Sequence, residues 1–217
     1  MTRDFLKSEG FREYKRSLKY SLYTMRRPFD GFWDLIHEKR GSMAAAHTLV
    51  ALAIIVEILR LVLTNFQFIN INMEAFSAYF VILQMLSPIL LWTLANWCLT
   101  TLFDGKGKMS HIYMGIAYAY TPVIIINAIL IPVSHIITAD EGAIYWTLTS
   151  LGVLWFIVLL LVAMKEIHDY SFLKAIITSL ITVFAIGVIL FIFMMFFAVV
   201  SDGIVYFYAI YQELNYR

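Results

Sequence analysis

The chain has 217 residues, 61 % of them hydrophobic and 14 % charged, with a formal net charge of +1, against about 45–50 % and 25 % in a soluble domain. Its mean hydropathy is +0.79. A soluble fold of this size cannot cover so much apolar surface and a near-zero net charge recruits no nucleic acid, so soluble enzymes, disordered tails and disulfide scaffolds are set aside in favour of a polytopic membrane protein.

The first 42 residues are charged and aromatic, without the apolar run and small-residue site of a cleavable signal peptide. They read as mature structure left in the cytosol. Phe5, Phe11, Tyr14, Leu18, Leu22 and Met25 recur at three-, four- or six-residue spacing, with Lys7, Arg12, Lys15, Arg16 and Lys19 between them. That pattern predicts a basic amphipathic helix lying on an anionic inner leaflet, with Gly10 as a point of interruption. Pro28, after Arg26 and Arg27, suits the first turn of a second short helix. Phe29, Phe32, Trp33 and Ile36 would form its apolar face, and Gly41 would end it. Each basic residue near an anionic surface contributes about 1 kcal/mol. Two readings of this segment stand: a lipid anchor, or a docking surface for a cytosolic partner.

A bilayer core of about 30 Å needs roughly 20 apolar residues per helix. Five segments qualify, at about 43–63, 78–103, 112–137, 143–164 and 172–200. The last exceeds the bilayer and is expected to tilt or protrude. The long unbroken apolar runs lack the alternation of a β-barrel. The fold class is therefore all-α: a membrane bundle of five transmembrane helices (43–200), an amphipathic N-terminal segment (1–42) and an aromatic tail (201–217). Following Asp202-Gly203, that tail is expected on the outer surface.

The connections carry the orientation. Ten Lys and Arg lie in 1–42, and Lys106, Lys108, Lys165 and Lys174 join them, making fourteen on one side. The opposite loops hold none, and the tail holds only Arg217. This asymmetry puts the N-terminus in the cytoplasm and the C-terminus outside a cell membrane.

Polar groups inside spans are functional candidates by default, because a mid-bilayer charge costs about 2.5–3.5 kcal/mol. Glu57 and Arg60 are three apart and share a helical face. They read as an internal ion pair or as part of a solute path. Asn96 and Asn127 read as interhelical hydrogen-bonding groups. Pro88, Pro122 and Pro132 fall inside spans and free backbone carbonyls, and two of them make the third span a kinked element. Gly115 and Ala119 form a small-xxx-small pair.

Catalytic signatures are missing from the pattern. DGKGK at 104–108 follows no strand and lacks the P-loop spacing, so it reads as a tight turn with cytosolic lysines. The single cysteine, Cys98, makes no disulfide. The histidines show no metal-ligand spacing, although His37, His111 and His168 would reach one face. His168-Asp169 reads as a solvated loop pair. No enzyme, cofactor or metal is expected.

Three stretches carry a resemblance: RRPFDGFWDL, WTLANWCLTTLFDGKGKMSHIYMGIAYAYTPVII and KEIHDYSFLKAI. With Asn96-Trp97, Gly105-Lys106-Gly107 and Tyr118-Ala119-Tyr120-Thr121-Pro122, the chain resembles the bacterial form of the Yip1 family over roughly 26–200. The resemblance implies five spans, a cytosolic N-terminus and a non-enzymatic role through partners. Eukaryotic members contact prenylated Rab GTPases. This chain lacks an obvious DLYGP-type motif, so that contact does not transfer. Some bacterial relatives accompany transport systems, including carbohydrate importers.

Three functions follow as expectations. The first is an adaptor, scaffold or accessory subunit, with the bilayer and other membrane subunits as partners and no nucleic acid. The second is a small transporter or channel using Glu57, Arg60, Asn96, Asn127 and Pro122. The third is a bilayer-shaping protein using Arg12, Lys15, Arg16, Lys19, Arg26, Arg27 and Trp33 at the lipid surface.

Overall fold

The computed structural model describes residues 2–69 and 76–215, with side chains from residue 10 onward. Glu74 and Arg217 fall outside the described residues, and Phe5 and Lys7 outside the described side chains. Every described element is helical: α1 (Thr2–Arg26), α2 (Pro28–His37), α3 (Met43–Leu63), α4 (Ala78–Leu102), α5 (Met109–Ala119), α6 (Thr121–Val133), a 3₁₀ turn (Ala139–Glu141), α7 (Gly142–His168) and α8 (Phe172–Asn215). Five helical stretches are long and apolar enough to cross a membrane, with α5 and α6 together forming the third. The chain is an all-α integral membrane bundle.

The starts of these helices follow from local chemistry. Pro28 opens α2 where its missing N–H costs nothing. Ser42 caps α3, its hydroxyl accepting from the Ala45 N–H at 3.2 Å. Buried Ala45, Ala46 and Ala53 bring α3 close to its neighbours. The kink expected in the third span is the boundary between α5 and α6. Pro122 has no N–H to offer the Tyr118 carbonyl, and the Thr121 hydroxyl takes that acceptor at 2.7 Å.

Two expectations are corrected. First, α1 is uninterrupted at Gly10, and the face it buries is Ser17, Ser21 and Thr24, not the full aromatic stripe. Tyr14, Leu18 and Met25 pack on the core, while Phe11 and Leu22 are exposed. In α2 the buried edge is Gly31, Phe32 and Leu35, with Phe29 and Trp33 exposed and Ile36 partly buried. A side chain on Gly31 would meet the Thr24 Cα at 2.7 Å, so glycine lets the two helices touch. Second, α8 does not end near residue 200. It runs unbroken through Asp202 and Gly203 to Asn215, 44 residues in all.

The α1–α2 hairpin is built into the bundle. Tyr14 Oη meets Thr48 Oγ1 of α3 at 2.8 Å, and Ser17 Oγ meets Tyr118 Oη of α5 at 2.7 Å. The Trp155 indole of α7 donates to the Met25 carbonyl at 3.3 Å. Trp155 lies thirteen residues, about 20 Å, from the end of α7. The C-terminal half of α1 therefore descends along the spans and does not lie flat across their ends.

Candidate functional site

One group of buried polar side chains lies where the C-terminal ends of α4 and α7 and the first turns of α8 meet the loop 104–108. Asn96 is 1 % exposed, and both ends of its amide are engaged. Its Nδ2 donates to Thr182 Oγ1 of α8 at 3.1 Å, and its Oδ1 faces His168 Nε2 of α7 at 3.1 Å. The other imidazole nitrogen, Nδ1, accepts from the Gly107 N–H at 3.2 Å. A backbone N–H can only donate, so Nδ1 carries no proton and the ring's N–H points to Asn96. One neutral histidine thus joins two helices and a loop. The Thr182 hydroxyl in turn donates a hydrogen bond to the Thr178 carbonyl at 2.7 Å.

The loop is shaped to this ring. Asp104 turns it through a left-handed conformation with φ 55°, which aspartate tolerates. The glycines answer to crowding: neither adopts a positive φ. A Cβ on Gly105 would lie 2.7 Å from His168 Nδ1 and from Tyr170 Oη; one on Gly107 would lie 2.6 Å from His168 Cε1. Tyr170 stacks on His168 with ring centroids 5.2 Å apart, and its hydroxyl donates to the Phe103 carbonyl at 3.1 Å. Lys174 Nζ donates to the same carbonyl at 3.0 Å.

The expectation of a solvated His168-Asp169 pair is corrected for His168 alone; Asp169 stays exposed. Lys106 Nζ bonds Asp169 Oδ2 at 2.9 Å, and His168 is buried. The Lys106 ammonium holds the Asp169 carboxyl below the usual carboxylate range. Asp169 closes α7 in the left-handed conformation, and the Tyr170 N–H caps the Lys165 carbonyl at 3.0 Å.

The other candidates lie apart. Glu57 and Arg60 form a forked pair on α3, with Nε to Oε2 at 2.9 Å and Nη2 to Oε1 at 2.6 Å. Asn127 is buried in α6, six residues before that helix ends, whereas Asn96 lies six residues before the opposite end of the bundle. The two asparagines therefore build no common site. Pro122 marks the kink and, with Met25 and Trp155, borders an apolar groove of about 410 Å³.

The N-terminal cations occupy the open face of the hairpin. Arg12, Lys15, Arg16, Lys19, Arg26 and Arg27 are all exposed. The Lys15 ammonium sits 4.6 Å from the Phe11 ring centre, and Trp33 stacks on His37 at 4.7 Å. Tyr20 donates to Asp34 Oδ2 at 3.0 Å, and burial together with that carboxylate pushes its phenol up. Among the described residues no cluster of three or more metal-ligating side chains forms. Sequence reasoning missed His168 as the partner of Asn96 and the hydroxyl stripe on α1. A His at the end of the fourth span and two close glycines in the loop between the second and third spans were the available signal.

The Yip1 domain matches residues 22–195. No curated protein and no solved structure matches the chain. The match spans most of the chain, and the protein belongs to the Yip1 family.

Proposed function

We propose that this Yip1-domain chain is a non-enzymatic adaptor, scaffold or accessory subunit of a larger assembly in a cell membrane. The observation that carries this reading is α8. Every residue from 191 to 200 is exposed and apolar, with fifteen helical residues following. Helix packing in a membrane needs shape and close approach more than polar recognition, and α8 offers its whole outer length for such contacts.

The polar groups within the spans favour this reading over a solute path. Glu57 and Arg60 neutralise each other on one helix. Asn96 is held by His168 and Thr182. Such satisfied networks stiffen a bundle. The Lys- and Arg-rich end faces the cytoplasm in this reading, with Arg12, Lys15, Arg16 and Lys19 of the N-terminal part of α1 against an anionic leaflet. The transport system of a carbohydrate importer is one assembly of the kind proposed.

Purification of the tagged full chain in a mild detergent, followed by mass spectrometry, tests the proposal. The expected result is a distinct membrane protein recovered in constant proportion and lost when Phe193 and Phe197 are both replaced by alanine. Recovery of the chain without any other protein, across several detergents, contradicts it.

A further inference from the structure

Two side chains lining one apolar cavity hold buried polar atoms without a hydrogen-bond partner. The cavity, of about 420 Å³, lies between α4, α5, α7 and α8, with Pro88, Trp92, Tyr120, Phe156, Ser179 and Leu180 among its lining. Its size falls within the roughly 300–1,000 Å³ of ligand pockets. The two unpartnered atoms are Trp92 Nε1 and Ser179 Oγ. Ser179 as a whole is 4 % exposed.

The neighbouring hydroxyls behave differently. Thr178 and Thr182, on the same helix, each donate to the carbonyl four residues back, at 2.8 and 2.7 Å. Ser179, between them, makes no such bond. An indole N–H can only donate, and a hydroxyl has a proton to give. A polar group left unpaired in a hydrocarbon medium is costly, because no water reaches it there. The cavity is therefore suited to an apolar molecule that carries an acceptor oxygen.

Position in the bundle says where that oxygen comes from. Ile157 and Leu180 of the lining are exposed, so the cavity opens on a face that lipid covers. Ser179 lies five residues, about 7.5 Å, along α8 from Lys174. Lys174 is tied to Phe103 at the basic end of the bundle. The polar interface of a bilayer is about 5–8 Å deep on each side. With Lys174 among the headgroups, Ser179 stands at the level where acyl chains join their esters. A diacyl glycerolipid brings long apolar chains and two ester carbonyls, which only accept.

We propose that this cavity binds one diacyl glycerolipid of the surrounding bilayer, an acyl chain filling the apolar space and an ester carbonyl accepting from Ser179, with Trp92 as a second donor. The inference goes beyond the adaptor reading and needs no protein partner.

Native mass spectrometry of the delipidated full chain in a mild detergent tests it. Two probes are compared: dioleoyl phosphatidylethanolamine and its diether counterpart, which has the same headgroup and chains but no carbonyl. One diester lipid is expected to stay on each chain, favoured over the diether at least about fivefold, the weight of one ordinary hydrogen bond. S179A and W92F are each expected to reduce that preference, and the double variant to abolish it. Equal retention of the two lipids by the parent chain means annular lipid only and overturns the inference. So does a parent chain that retains neither, or a preference that survives in the double variant. Displacement of the diester lipid by an equal concentration of oleic acid assigns the cavity to a free fatty acid and overturns the glycerolipid.

Discussion

Both nitrogens of the His168 ring are engaged, one by a side-chain amide and one by a backbone N–H. Replacing the ring with alanine leaves the Asn96 carbonyl and the Gly107 N–H without it. Each unsatisfied buried group costs about 1–3 kcal/mol, so H168A is expected to lower the unfolding midpoint in detergent clearly. An unchanged midpoint would contradict the clamp. Gly107 is the complementary case, because a methyl there collides with Ile167 Cγ2 at 2.5 Å as well as with the imidazole. Overpacking of this kind costs about 1–3 kcal/mol, and G107A is expected to destabilise although alanine favours ordered backbone. The Lys106–Asp169 pair is weaker and pH-dependent. A carboxyl with a depressed folded pKa adds stability above its unfolded value of about 3.9 and loses it as the pH falls through the folded value. The side chains are 73 % and 41 % exposed, so solvent screening keeps the contribution below about 1 kcal/mol. D169N is expected to melt slightly earlier at neutral pH, with the gap shrinking in high salt and closing in acid once the folded carboxyl is protonated. A gap persisting in acid would contradict this account of the pair.

At the scale of elements, α1 and α8 differ most from what their sequences suggest. The buried stripe of α1 is Ser17, Ser21 and Thr24. Hydroxyl side chains read as polar along a sequence, yet between helices they are small and can satisfy themselves locally, as Thr24 does on the Ser21 carbonyl at 2.8 Å. Periodicity finds Phe and Leu and cannot tell a core face from a lipid face. Asp202-Gly203 reads as a break in α8, but a single helical glycine costs only about 1 kcal/mol against alanine. By contrast, the five spans were legible, because twenty apolar residues in a row have few other uses. The kink at Pro122 was equally legible, since a missing N–H must show in the backbone. The hairpin has its own test. G31V forces a side chain against the Thr24 backbone, and is expected to speed amide hydrogen exchange over 14–25 while leaving the spans protected. Unaltered exchange there would show that the contact does not hold α1 in place.

At the scale of the molecule, one end is basic and locked around His168, and past the other end α8 projects. The fixed end joins α4, α7, α8 and the glycine loop through His168. From that base α8 extends past every other described element that supports it. Of the candidate site residues read from the sequence, Asn96 proved to be a junction, whereas Glu57 and Arg60 close on each other. Spacing alone showed the second of these and not the first, because the partners of Asn96 lie 72 and 86 positions away. The account depends on the basic end facing the cytoplasm while α8 emerges on the other side. Labelling of intact cells with a membrane-impermeant maleimide, using K106C and E213C in the C98S background, measures this directly. Cysteine 213 is expected to react in intact cells and cysteine 106 only after permeabilisation. The opposite pattern, or labelling of both positions from one side, would contradict the account.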